Sequence, residues 1–310
     1  MNKKILNFIR KTDLVLKSLT DKIILPGFRG FSLYYVGSFF FKGIQKGAVS
    51  MRASSVAFNL FISLFPALIF LFSLIPFIPF ENFQYELFGI LAEVLPDNAY
   101  SLMYETISDT IMNQYTSILS IGFLLMLFFS SNGVMAMIEA FNNTYHHFET
   151  RSDISIRLIS LLLVVIISLL LMIAISLIVI GNSVFVGFIS NHPALNESDF
   201  LFFIVGFFKW LLIIGLYFLA ISFLYYLAPA KKSRFRFITP GAIFATFLQI
   251  ITVIGFSFYV NNFAQYNKLY GSIGTVIVVM MLFYISSLAL ILGFELNVSI
   301  FSQENKILKK

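Results

Sequence analysis

Long apolar stretches alternate with short polar segments along the chain, and the lengths of those stretches carry the first information. The hydrocarbon core of a bilayer takes about 20 mostly apolar residues in a helix to cross. Residues 58–78, 117–138, 158–180, 201–227 and 273–298 clearly meet this length. A sixth stretch, 238–260, is interrupted only by Thr239, Pro240, Thr246, Gln249 and Thr252. The pattern predicts six transmembrane helices. Strands of a membrane barrel would instead alternate apolar and polar residues over about ten positions, and these runs do not alternate. A shorter run, 31–41, lies between Arg29 and Lys42 and suits an interfacial elbow, being too short to cross.

The segments between the runs have patterns of their own. Ile5, Phe8, Ile9, Leu16 and Leu19 recur near helical spacing among Lys3, Lys4, Arg10 and Lys11, as in an amphipathic helix lying on the inner leaflet. Phe83, Leu87, Ile90 and Val94, then Leu102, Met103, Ile107 and Ile111, do so again on either side of Pro96-Asp97. Two short amphipathic helices forming an external cap over 79–116 are expected there. No internal repeat is visible. The fold expected is all-α. A cytoplasmic N-terminal segment (1–48) leads into a six-span membrane domain (49–302), and a basic cytoplasmic tail (303–310) follows.

Composition agrees and excludes other classes. Hydrophobic residues make up 59% of the 310 and charged residues only 12%, against about a quarter charged in soluble domains. Mean hydropathy is +0.90. There is no cysteine, which excludes a disulfide-stapled secreted domain. The N-terminal stretch is charged and has no small-residue cleavage site, so the first span is expected to be retained.

The sorting of charge says more than its scarcity. Of 21 Lys and Arg, ten precede the first span, ending at Arg52. Arg151 and Arg157 follow the second, four bases follow the fourth, and three close the chain, which leaves only Lys209 and Lys268. The segment 79–116 holds six acids and no base. The positive-inside rule puts both termini in the cytoplasm, as an even number of spans also requires. The net charge of +6 therefore reflects topology and attraction to anionic lipid. The expected partners are membrane lipids and no nucleic acid, with a homo-oligomer or an unknown membrane partner left open.

Polar residues inside apolar runs are costly in lipid and usually face the bundle interior. Glu295 and Asn297 lie near the cytoplasmic end of the sixth span, in Gly293-Phe294-Glu295-Leu296-Asn297. Asn59 and Ser63 sit one turn apart on the first span, just before Pro66. Ser130, Ser131, Asn132 and Gly133 interrupt the second, Gln249 lies within the fifth, and Tyr270-Gly271-Ser272 opens the sixth. Of these, Asn59, Ser63, Pro66, Asn132, Tyr270, Gly271, Ser272, Glu295 and Asn297 are the candidates for lining a solute route. Small and polar residues at these places also serve helix packing, and Glu295 suits pairing with a cytoplasmic-side Arg or Lys equally well. His146, His147 and Glu149 share a loop without a specific ligand spacing. No metal, cofactor or catalytic residue is expected, since no Walker loop, GxSxG elbow or HExxH helix occurs.

Several strings resemble the YihY/BrkB family of bacterial inner-membrane proteins. They begin at Arg52-Ala53 and continue through Asn59-Leu60-Phe61-Ile62-Ser63-Leu64-Phe65-Pro66. Phe141-Asn142-Asn143-Thr144-Tyr145, Glu149-Thr150-Arg151, Ala228-Pro229 and Pro240-Gly241 follow in order. The most specific are 266–274, YNKLYGSIG, and 293–297, GFELN. Phe283-Tyr284 stands where members often carry a Trp. The resemblance implies a six-span inner-membrane protein with both ends cytoplasmic. Part of that family has carried the label ribonuclease BN. Metal-assisted RNA cleavage needs converging carboxylates or histidines in water, whereas the cytoplasmic face here is mostly basic, so an enzyme is not expected. The function expected is the transport or handling of a lipid-like or small solute, with a non-transporting envelope scaffold as the alternative.

Overall fold

The computed structural model describes residues 20–24, 27–28, 30–46, 48–74, 116–144, 151–190, 199–230, 237–263 and 272–307. Among them are seven helices and no strand: α1 (Leu33–Lys46), α2 (Val49–Leu74), α3 (Thr116–Thr144), α4 (Asp153–Ser190), α5 (Asp199–Leu227), α6 (Pro240–Phe263) and α7 (Ser272–Ile307). All except α1 are long and apolar enough to cross a membrane. At about 1.5 Å per residue the 14 residues of α1 reach only about 21 Å, short of a bilayer core. The amphipathic segment expected at 3–19 lies outside the described residues, as do His146, His147, Glu149 and all of the cap expected over 79–116 except Thr116, which opens α3.

Local chemistry sets the helix starts. Ser32 caps α1, its Oγ accepting from the Tyr35 N–H at 3.4 Å, and Ser152 caps α4 through the Ser155 N–H at 3.3 Å. Asp153 then stands in the first turn of α4, where a carboxylate suits the positive end of the helix dipole. Thr239 caps α6, accepting from Ala242 N–H at 3.2 Å, with Pro240 at the first helical position, where its missing N–H costs nothing.

Two helices begin earlier than the apolar runs predicted. The first span was expected from 58, yet α2 starts at Val49 and takes Arg52 into the helix. The third was expected from 158, yet α4 starts at Asp153 and includes Arg157. Both arginines were read as bases outside the membrane. Each is instead satisfied by partners on a neighbouring helix, which removes the reason to stop the helix short of it.

Six helices form a closed circuit: α2 packs on α3, α3 on α4, α4 on α5, α5 on α6, α6 on α7, and α7 back on α2. Successive helices run antiparallel, so the starts of α2, α4 and α6 and the ends of α3, α5 and α7 meet at one end of the bundle. α7 also touches α3 and carries α1 on its outer side, where Phe28 and Val36 bury themselves against Ile300.

The tight core lies toward that end. It contains Ala53 and Val56 of α2, Ala136, Met137, Ile138, Ala140 and Phe141 of α3, Leu224 and Tyr225 of α5, Ala242 and Ala245 of α6, and Ile291, Phe294 and Val298 of α7. Many of these are small, as expected where helices associate by close backbone approach. Three rings tie α3, α5 and α7 together. Phe141 stacks on Phe294 at 4.4 Å, and Tyr225 meets both edge-on at 5.5 and 5.4 Å. The Tyr225 hydroxyl donates to the Leu290 carbonyl at 2.5 Å. Leu162, Leu169, Met172, Trp210, Ile254 and similar side chains stand exposed, an outward apolar surface that matches lipid rather than water.

Candidate functional site

Glu295 sits at the packed end of the bundle, 4% exposed. Its Oε1 receives the Arg52 Nη2 at 2.7 Å, a buried ion pair across 243 residues of sequence. Arg52 also donates through Nη1 to the Ala140 carbonyl at 2.7 Å and to Thr144 Oγ1 at 2.5 Å. Thr144 Oγ1 lies 3.2 Å from Glu295 Oε1. One guanidinium thus joins α2, α3 and α7. Its Nε, also buried, has no partner among the described residues. On the far side of the carboxylate lies Gly43 of α1, where an added Cβ would stand 2.8 Å from Glu295 Oε2.

Two residues further on, Asn297 is fully buried. Its Oδ1 accepts from the Gly241 N–H at 2.8 Å, and its Nδ2 donates to Thr239 Oγ1 at 2.9 Å. A side chain of α7 therefore caps α6, satisfying one of the N–H groups that a helix start leaves open. Mid-bundle, Gln249 donates to the Ser286 carbonyl at 2.8 Å across the same pair of helices.

A second polar cluster joins α3 to α4. Arg157 Nη1 donates to Ser131 Oγ at 2.5 Å and to Asn132 Oδ1 at 2.7 Å, and its guanidinium lies 4.9 Å from the centre of the Phe128 ring. The polar break in the middle of the second span is thus the docking place of an arginine one turn into the third.

Two cavities adjoin these clusters. A cleft of about 560 Å³ between α2, α3 and α4 is lined by Ser55, Asn59, Asn132, Glu139, Asn143 and Asp153 among others. A second space of about 320 Å³ is bounded by five helices, α2 through α5 and α7, and presents Ser63, Ser130, Ser168 and Tyr217 among apolar side chains. Of the candidates chosen from sequence, Asn59 and Asn132 share the cleft, while Ser63, one turn from Asn59, lines the other space. Asn59 donates to the Ser55 carbonyl at 2.9 Å and Ser63 to the Leu60 carbonyl at 2.7 Å. Pro66 lies inside α2, which continues past it. Glu295 and Asn297 line neither space and are held in the bonds described above. Ser272 is the first residue of α7, while Tyr270 and Gly271 lie outside the described residues.

Arg52, Arg157, Thr144, Glu139 and Asp153 were not singled out as site residues. For Arg157 a signal existed: Ser131 and Asn132 deep in one span, followed by an arginine early in the next. For Glu139 and Asp153 none did, since only the packing of α3 against α4 turns them into one cleft.

The comparisons with known proteins agree with this architecture. The family model described as "Virulence factor BrkB" matches residues 40–309. The chain is 33% identical over 246 residues to a Bacillus subtilis (strain 168) protein named ribonuclease-like protein YfkH, covering 79% of this chain and 88% of that one. It is 35% identical over 100 residues to a UPF0761 membrane protein of Pseudoalteromonas translucida (strain TAC 125), about a third of each chain (32% and 33%). A UPF0761 membrane protein of Xanthomonas campestris pv. campestris (strain B100) shares 33% identity over 79 residues, 26% of this chain and 19% of that one. No solved structure matches the chain. With six helices able to cross a bilayer and a family match over most of its length, the chain is an integral membrane protein that belongs to the BrkB family.

Proposed function

We propose that the protein moves or handles a lipid-like or small solute across the bacterial plasma membrane, with both termini in the cytoplasm. The observation that supports this reading is internal space with polar walls in a bundle whose outer surface is apolar. On α2, Ser55 and Asn59 line the cleft while Leu60 and Ser63 line the five-helix space, so that Asn59 faces one and Ser63 the other. A solute passing between them would cross a single helix turn. Polar walls inside a bilayer are costly unless they meet water, a ligand or each other.

The scaffold reading draws on a different observation: Glu295 and Asn297 are consumed by bonds between helices. Flux separates the two. Reconstituted in liposomes, the wild type transfers fluorescent phospholipid or labelled solute faster than empty vesicles do, and Asn59→Leu with Ser63→Leu removes most of that rate while the protein remains folded. Wild-type vesicles as tight as empty ones would leave only the scaffold.

Among the described residues no three of His, Cys, Asp or Glu gather closely enough to hold a metal ion.

Orientation has its own test. Because the chain has no cysteine, single cysteines can be placed at will. A cysteine at position 97 is expected to react with an impermeant maleimide from outside intact cells, and one at position 233 only after the inner face is opened. The reverse pattern would invert the topology proposed.

A further inference from the structure

The cleft between α2, α3 and α4 has more unspent polar chemistry than helix packing requires. Glu139 and Asp153 both line it, and among the described residues neither side chain forms an ion pair or hydrogen bond. The arginines carried by or beside the same helices are already engaged elsewhere. Arg52 is bound to Glu295, Thr144 and the Ala140 carbonyl. Arg157 is bound to Ser131 and Asn132, and Arg151 donates to the Ala228 carbonyl at 2.8 Å. Among the described residues, the cleft is left with two carboxylates and no basic residue in its lining.

Two of the asparagines that line the cleft divide their functions. Asn59 spends its N–H on the Ser55 carbonyl, which leaves its Oδ1 as an acceptor. Asn132 spends its Oδ1 on Arg157, which leaves its NH₂ as a donor. Two carboxylates and an amide oxygen match the three N–H donors of an ammonium group, and the Asn132 NH₂ suits an oxygen carried beside it. Space of about 560 Å³ falls within the range of small-molecule sites, roughly 300–1,000 Å³. Ligands bearing phosphate alone would face two uncompensated carboxylates.

We propose that this cleft is a binding site for a primary ammonium group, carried by an aminophospholipid headgroup or by a soluble amine, with Glu139 and Asp153 as its counter-ions. The proposal rests on the solute-handling reading only in making the cleft part of the solute's path. Binding is measured without flux, so the two can fail separately.

The whole protein in phosphatidylcholine nanodiscs provides the test, because that lipid's ammonium has no N–H. Thermal unfolding is followed while 1,4-diaminobutane is added, and separately while phosphatidylethanolamine replaces part of the phosphatidylcholine. A saturable rise in Tm is expected with at least one of them. The free amine alone identifies a soluble ligand, and the lipid alone identifies a headgroup. Glu139→Gln should weaken binding about tenfold, the scale of one charge-assisted hydrogen bond, and Glu139→Gln with Asp153→Asn should abolish it. Glu139→Asp should keep it, and Tm without ligand should not move, since the Glu139 side chain is exposed. No rise with either probe, wild-type affinity in the double variant, or an equal effect from phosphatidylglycerol or magnesium ion would overturn the assignment.

Discussion

Replacing Glu295 by Gln lowers the stability of the bundle by about 3–5 kcal/mol, the usual cost of stripping one partner from a buried ion pair. Arg52→Met costs a comparable amount, since it leaves the buried carboxylate without its partner, and Arg52→Met with Glu295→Leu recovers most of the loss. With Glu295 gone, Arg52 keeps its bonds to the Ala140 carbonyl and Thr144, but its charge stays buried at 8% exposure with no counter-ion. Removing both charges leaves an apolar contact between α2 and α7, and such replacements are often neutral or stabilising. Thermal unfolding in detergent, run as a double-mutant cycle, checks this. Single variants whose losses simply add would show that the pair is not a coupled unit.

The crossing of α6 and α7 supplies the second large effect. A Cβ at Gly241 would overlap the Gly293 carbonyl oxygen and stand 2.5 Å from Asn297 Oδ1. A Cβ at Gly293 would stand 2.5 Å from Ala245 Cβ and 2.6 Å from the Tyr225 hydroxyl. Backbone atoms on the facing helix cannot rotate away, so Gly241→Ala or Gly293→Ala must move one helix relative to the other. That movement breaks the Asn297 cap and disturbs the Tyr225 bond together. Overpacking alone costs about 1–3 kcal/mol, and loss of a buried cap adds about 1. Gly215 and Gly255 have open space around the same position, and Ala there should be neutral or stabilising by up to about 1 kcal/mol. Folded yield on size-exclusion chromatography and the unfolding midpoint both report the contrast. Equal tolerance at all four glycines would mean that the close crossing does not exist.

These two predictions concern residues that local sequence could only flag. GFELN was conspicuous because a glycine, a carboxylate and an amide stand together in an apolar helix. What each does depends on a different neighbour: Gly293 meets Ala245 and the Gly241 carbonyl, Glu295 meets Arg52, and Asn297 meets Thr239 and Gly241. The same holds for the route once drawn through Asn59 and Ser63. One helical turn was read as one face, yet the angle of 400° for four residues, together with the different neighbours of α2, leaves the two in different spaces.

By itself, the sequence determined how many helices can cross the membrane, their alternating direction and the family to which the chain belongs. The physical reason is that the length of an apolar run is measured against the thickness of a bilayer, a comparison that needs no knowledge of neighbours. Only the tertiary structure decided where the helices begin and which polar groups are spent. Arg52 and Arg157 are drawn into α2 and α4 because partners on other helices satisfy their charge. Glu139 and Asp153 are left unspent in a shared cleft because α3 packs against α4. The worth of a polar group in lipid depends on the group it faces, and that is a property of the packed bundle.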